Sequence, residues 1–250
     1  MDITAELRPA WRTFFDRETP NDVILSAALA GRCPALAFVD RADSPSQIVI
    51  RVHGGKAFAG TGVSESFLHG VVDRFETFDW TALADTGVPD RIRERGRVVA
   101  RTRFDRCDLE SASLRLLRDR LSSDHEMLPL DRDLLKRCHH AKRELAKEYG
   151  EKVESYFDIG YGICLLYRER IVSEAYMGYV VEGRGEAIVG TVETFRGRGL
   201  ASIASAFLAE EARQRGHEFT WSCLSDNIAS LTVARRLGFR RERPYSEIYY

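Results

Sequence analysis

The chain has 250 residues, 44% of them hydrophobic, which suffices for one large or two modest domains that each bury a core and excludes a disordered polypeptide. Lys plus Arg number 37 against 38 for Asp plus Glu, so no global field draws the protein to nucleic acid or to an anionic membrane. Cys33, Cys107, Cys138, Cys164 and Cys223 are odd in number and widely spaced, with no C-x-x-C pair, which argues against a disulfide framework or a zinc site and for reduced core thiols.

The amino-terminal residues show no basic region followed by an apolar stretch, and no window reaches the ~20 apolar residues of a membrane span. The cytoplasm is the expected location. Ile3 to Phe15 can be written as a helix with Leu7, Trp11, Phe14 and Phe15 near one face, and Val23 to Ala30 as a second helix ended by Gly31. Three strands follow, Ala35–Val39, Gln47–Val52 and Lys56–Ala59, separated by turn compositions that predict a small meander. Ser64 to Phe75 reads as an amphipathic helix, followed by the aromatics Phe78 and Trp80. Arginines crowd Arg91 to Arg106, but acidic residues are interleaved and the aromatics are not spaced for base stacking, so a solvated face is expected.

Ser111 to Leu121 is predicted helical, and a domain boundary is placed near Ser122, giving an amino-terminal α+β domain over 1–122 and a second domain over 123–250. The strand His125–Leu130 and one amphipathic helix, Asp131 to Lys147, follow. Within that helix the adjacent His139 and His140 point about 100° apart, so they form no metal pair and no metal site is expected. Tyr161–Tyr167, Ile171–Val181 and Glu186–Val192 read as strands joined by short turns, hence antiparallel neighbours. A helix from Leu200 to Gln214, a strand Phe219–Leu224, a helix Ile228–Leu237 and a last strand region from Phe239 to Tyr250 complete the chain.

Between the third of those strands and its helix stands Arg196-Gly197-Arg198-Gly199-Leu200-Ala201. Strand, glycine turn and helix together present unpaired amides and the positive end of a helix dipole to an anion. Gly197 and Gly199 carry no Cβ to hold a phosphate away, and Arg196 and Arg198 add charged donors. Two nucleotide motifs fit worse: Leu200-Ala201 occupy the Lys-Ser/Thr positions of a P-loop, and Ser202 the third glycine of a dinucleotide fingerprint. Further on, Asn227, Ser230, Ala234 and Leu237-Gly238-Phe239 form N-x-x-S-x-x-x-A-x-x-L-G-F.

The two segments together resemble the GCN5-related N-acetyltransferase (GNAT) superfamily. That resemblance implies an α/β (α+β) chain whose carboxy-terminal part is a mixed, mostly antiparallel sheet flanked by helices. It also implies acetyl-CoA as donor co-substrate. Backbone groups at Val189, Thr191, Val192 and Glu193 would line the pantetheine arm, Arg196 through Ala201 would hold the pyrophosphate, and Asn227 and Ser230 would contact the cofactor from the second helix. For Asn227 an ordinary helix cap is compatible with that role. In the front half, Phe38-Val39-Asp40, Pro45 and Phe58-Ala59-Gly60 are similar to the bacterial subfamily that includes the zwittermicin A resistance acetyltransferase, implying a small-molecule amine acceptor such as an antibiotic or biosynthetic intermediate. That front domain would shape the acceptor pocket or support dimerisation, and a homodimer is among the expected assemblies.

Acetyl transfer needs a neutral amine, whereas an alkylammonium has a pKa near ~10, so a base or an ordered water must remove a proton near neutral pH. Glu186, on the strand leading into the loop, is the candidate, against the alternative of an exposed strand-end carboxylate. Glu193 fits a base less well because it lies in the turn beside the phosphates. Many relatives supply a tyrosine acid from the second helix where Ala234 stands here. Tyr245 is the candidate substitute, with Tyr249 and Tyr250 as alternatives. The rival readings are a non-catalytic acyl-CoA-binding module and a protein N-acetyltransferase.

Overall fold

The computed structural model describes every residue except 1, 5, 17, 75–93, 95, 110, 111 and 250. Phe75, Phe78, Trp80, the start of the arginine-rich region at Arg91, and Tyr250 therefore lie outside the described residues. The chain forms two compact units, Met1–Arg101 with Pro244–Tyr250, and Thr102–Arg243. This division differs from the expected boundary near Ser122. Phe104, Leu114 and Leu117 are buried in the core of the second unit, so the segment before Ser122 already belongs there.

In the first unit, strands β1 (Asp2–Thr4), β2 (Ala35–Val39), β3 (Ile48–Val52) and β4 (Ala57–Ala59) make an antiparallel sheet in that order. The expected helix from Ile3 to Phe15 is replaced by β1, paired with β2, and a 3₁₀ helix over Pro9–Phe14. Proline at the start of that helix has no amide to lose and a preset φ, so the helix begins there. Helices α1 (Asp22–Leu29) and α2 (Glu65–Val72) belong to the same unit, the second capped by Ser64, whose Oγ accepts from the Phe67 amide at 3.3 Å. Its core gathers Phe38, Val49, Phe67, Leu68, Val71 and Ile248.

The same unit holds a buried ionic network. Glu247, 1% exposed, pairs with Lys56 at 3.2 Å and Arg101 at 3.4 Å, and accepts from Asn21 Nδ2 at 2.8 Å and Tyr249 Oη at 3.1 Å. Burial pushes its carboxyl upward, but the adjacent Lys56 and Arg101 charges outweigh burial and hold it below the ordinary value. The carboxylate therefore adds stability above the pH at which an unfolded glutamate ionises, near ~4.3, and that contribution disappears as pH falls through the lower folded value. Glu247→Gln is expected to cost about 3–5 kcal/mol at neutral pH, because cations are left in a dry site. Denaturant unfolding from pH 7 to pH 3 would show it, with the variant's stability less dependent on pH than that of the parent.

The second unit is built on a sheet of seven strands. They are β5 (Arg97–Cys107), β6 (His125–Pro129), β7 (Gly162–Tyr167), β8 (Arg170–Val181), β9 (Arg184–Thr191), β10 (Glu218–Leu224) and β11 (Phe239–Tyr249). Their order is β11-β5-β10-β9-β8-β7-β6, and the chain passes between the units within β5 and β11. The meander β6 to β9 is antiparallel, with turns at Arg168-Glu169 and Glu182-Gly183 whose residues all have positive φ, the twist that two-residue hairpins prefer. β9 and β10 are parallel. Helices α3 (Ala112–Arg118), α6 (Leu200–Gln214) and α7 (Ile228–Leu237) cover one face, burying Leu200, Ile203, Leu208 and Leu237 with Phe104, Trp221 and Phe239. Ala234 is fully buried in that core.

The predicted single helix from Asp131 to Lys147 is two, α4 (Arg132–Arg137) and α5 (His140–Tyr149). Cys138 is extended at ψ 144°, and each helix has its own cap. Asp131 Oδ1 accepts from the Leu134 amide at 2.7 Å, while the buried Glu174 carboxylate accepts from the amides of His139, His140 and Ala141 at 3.1, 2.7 and 3.0 Å. A carboxylate from a strand thus occupies the positive end of α5, a cap that sequence periodicity does not reveal. Cys138 and Cys164 lie with sulfurs 3.6 Å apart and unbonded; their hydrogen bond and burial push the Cys138 thiol far up. Among the described residues no helix is long and apolar enough to cross a membrane.

Candidate active site

The site begins where β9 and β10 part. Their parallel register pairs Arg184, Gly185 and Glu186 with Glu218, Phe219 and Thr220, yet β9 runs on to Thr191 and β10 to Leu224. Among the described residues no residue of β9 from Ala187 onward is in register with β10, so that edge can offer backbone amides and carbonyls to a ligand. On the other side of β9 the register with β8 shifts between Met177 and Val180, placing Gly178 and Tyr179 opposite Glu186. Such a bulge re-aims a strand locally. The Tyr149 hydroxyl donates to the Gly178 carbonyl at 3.1 Å.

Strand alternation sorts the two faces. Ala187, Val189, Phe219, Trp221 and Cys223 lie in or against the core under α6, which leaves Glu186, Ile188, Gly190, Thr220 and Ser222 on the opposite face. Glu186 is half-buried and accepts a hydrogen bond from Ser222 Oγ. It is therefore a held carboxylate at the point of strand separation, which replaces the alternative of an exposed strand end. On the same face Gly190 packs directly on His140, where a Cβ would come within 2.5 Å of the His140 Cβ. Burial lowers the His140 pKa, favouring the neutral imidazole, and its Nδ1 lies 3.4 Å from the Tyr176 hydroxyl.

β9 leads into the glycine loop. Thr191 Oγ1 is 2.9 Å from Ser173 Oγ, the Val192 amide donates to the Val172 carbonyl at 3.0 Å, and Glu193 opens a 3₁₀ turn. Val189 is half-buried and Glu193 exposed. Gly197 and Gly199 have φ of 77° and 81°, and a Cβ on either would meet nothing within 4 Å. The glycines are thus required by left-handed backbone rather than by crowding within the chain. Arg196 Nε donates to the Thr191 carbonyl at 3.3 Å and Arg198 Nη2 to the Thr194 carbonyl at 3.1 Å, with the Arg198 guanidinium 4.8 Å from the Phe195 ring centre. Both arginines brace the loop while remaining exposed, with further N–H donors to spare.

Gly199 is the residue before α6 and makes no side-chain cap; the first bond across the helix start is from the Ile203 amide to the Gly199 carbonyl at 3.1 Å. Among the described residues no carbonyl accepts from the amides of Arg198, Gly199, Leu200 or Ala201. Four unpaired amides at a helix N-terminus flanked by two arginines fit a pyrophosphate. At the start of α7, Asn227 Oδ1 accepts from the Ser230 amide at 3.0 Å, and Ser230 Oγ accepts from Trp221 Nε1 at 3.0 Å. Asn227 is thus a helix cap, and Ser230 ties α7 to β10.

Tyr245 belongs to the other unit. Its hydroxyl accepts from Arg101 Nε at 2.9 Å and donates to Asn21 Oδ1 at 3.3 Å. The structure therefore brings together Glu186, the β9 edge and the loop, and sets Tyr245 within the Glu247 network. Ser222 went unremarked in the sequence, although the alternation Phe219, Thr220, Trp221, Ser222, Cys223 marks it as polar on the face opposite the core. Among the described residues no three His, Cys, Asp or Glu side chains converge as metal ligands.

A parted strand pair thus leads into a helix N-terminus with unpaired amides. The chain belongs to the GNAT acetyltransferase family, whose model matches residues 13–248 and so spans both units. It is similar over 122 residues, at 30% identity, to the uncharacterized N-acetyltransferase YdfB of Bacillus subtilis (strain 168). That match covers 48% of this chain and spans about half, 46%, of the relative. Among solved structures, a GCN5-related N-acetyltransferase-like protein from Streptococcus suis 89/1591 superposes with a TM-score of 0.76 at 24% identity, over 96% of this chain and 98% of that one. A GNAT-family acetyltransferase from Colwellia psychrerythraea covers 100% of each chain at a TM-score of 0.57 and 11% identity. These likenesses bear out the fold: a mixed, mostly antiparallel sheet flanked by helices.

Proposed function

We propose that this protein is an acetyl-CoA-dependent N-acetyltransferase acting on a primary amine of a small molecule, such as an antibiotic or biosynthetic intermediate, in the cytoplasm. The observation that carries the reading is one strand, β9, that holds a fixed carboxylate at Glu186 and ends in a loop of unpaired amides at Arg198 to Ala201. Arg196 through Ala201 hold the pyrophosphate, backbone groups at Val189, Thr191, Val192 and Glu193 line the pantetheine arm, and Asn227 and Ser230 contact the cofactor from α7. Acetyl-CoA supplies the acetyl group as a thioester. Glu186 takes the proton of the ammonium, so that the nitrogen lone pair becomes free to bond the carbonyl carbon. The departing thiolate makes a modest demand on an acid, because a thiol with a pKa near ~8.5 leaves tolerably without help. Acceptor selection is assigned to the amino-terminal part of the chain.

Release of free CoA across a panel of amines, beginning with aminated antibiotics, tests the reading. Sustained release that depends on a small-molecule amine is expected. Binding of acetyl-CoA without turnover of any amine would identify a non-catalytic acyl-CoA-binding module, the reading favoured by the buried Ala234 standing where the superfamily resemblance implies a tyrosine. Turnover with peptides alone would reassign the acceptor to protein.

A further inference from the structure

We propose that Ser222 is a positioning residue for the reaction, holding the Glu186 carboxylate by one oxygen across the opening between β9 and β10 so that its other oxygen faces the acceptor amine. The inference rests on the reading of Glu186 as the base. Glu186 is the last residue of β9 in register with β10, and Ser222 lies two residues beyond Thr220, the last on the other strand. Their hydrogen bond therefore reaches from the last residue of β9 in register with β10 to a residue of β10 beyond that register.

Ser222 Oγ donates to Glu186 Oε1, and among the described residues no other hydrogen bond to the Glu186 carboxylate is found. A carboxylate has about four lone-pair sites, so Oε2 retains full capacity to accept. The neighbouring Thr220 cannot substitute, since its hydroxyl donates to the Gly185 carbonyl at 2.9 Å. The bulge at Gly178-Tyr179 lies on the opposite flank of Glu186, so Ser222 supplies the side-chain restraint on the β10 side.

In the reaction the ammonium N–H bond breaks, its proton passes to Glu186 Oε2, and the electron pair stays on nitrogen, which forms the amide bond as the carbon–sulfur bond breaks. As the amide forms the nitrogen loses its second surplus proton, which ends, directly or through water, on the departing thiolate, and Glu186 returns its own proton to solvent. Ser222 keeps its hydroxyl proton throughout. Its contribution is geometric, because a base misplaced by about 1 Å can lose on the order of 10²-fold in rate.

The test is a double-mutant cycle in the full-length protein with the best amine of the panel. Ser222→Ala is expected to lower kcat about 10-fold or more with little change in KM for acetyl-CoA, and Ser222→Thr to restore much of it, since threonine keeps the hydroxyl. In a Glu186→Gln background the same Ser222→Ala change is expected to have almost no further effect, because two residues acting through one step are not additive. Equal fold-losses in both backgrounds would overturn the proposal, as would full activity of Ser222→Ala. Full activity of Glu186→Gln itself would instead remove the base reading on which the proposal stands. Unfolding of Ser222→Ala with and without acetyl-CoA separates a folding defect, which lowers stability in both conditions, from a loss confined to turnover.

Discussion

Glu186→Gln is expected to lower kcat for amine acetylation by about 10²- to 10⁴-fold, the range for removing a positioned general base, with affinity for acetyl-CoA nearly unchanged. Glutamine keeps the size of the side chain and an oxygen that can still accept from Ser222, so strand geometry and the β9 edge persist while basicity is lost. An alkylammonium near ~10 leaves only about one amine in 10³ neutral at pH 7, so the variant depends on the pre-ionised fraction. Its rate should climb about tenfold per pH unit between pH 7 and pH 9, and the parent's rate should climb less. Steady-state kinetics at several pH values decides it: an unchanged kcat, or a loss entirely in KM for the amine, removes Glu186 from proton transfer.

Gly199→Glu is expected to abolish the stabilisation that acetyl-CoA confers, which for a ligand bound only to the native state is about 2.7 kcal/mol at one hundred times its dissociation constant. The carboxylate would stand at the amides of Leu200 and Ala201, competing with the pyrophosphate for donors and repelling its charge. A second effect must be separated: at φ 81° any L-residue is strained, by roughly 1–2 kcal/mol, whether or not a ligand is present. Gly199→Ala isolates that term, since a Cβ there meets nothing within 4 Å. Thermal unfolding should show both variants less stable without ligand, with Gly199→Ala still responding to acetyl-CoA and Gly199→Glu silent. Equal responses would place the carrier's phosphates elsewhere.

The sheet was legible where local rules dominate. Apolar runs bounded by turn composition marked the strands from Ala35 to Ala59 and from His125 to Leu224, because a strand buried on both faces reads as a short apolar run and a two-residue turn needs residues that tolerate positive φ. The glycine turn was legible for a related reason: left-handed backbone between a strand and an apolar helical stripe favours glycine. The Asp131–Lys147 region misled, since its apolar period continues across Cys138 although the backbone does not. The carboxylate that allows the second helix to start afresh belongs to Glu174, on a strand far along the chain.

The residues alone were therefore enough to specify most of the strands, the glycine turn and the family pattern, since each depends on interactions within a few positions of sequence. Folding in three dimensions was needed to part β9 from β10 just beyond Glu186, to set Ser222 across that gap, to pack Gly190 on His140, and to enclose Tyr245 with Arg101 and Glu247. Those arrangements join groups distant along the chain. Register, bulges and the satisfaction of buried charge are properties of the whole packed structure, and no local pattern encodes them.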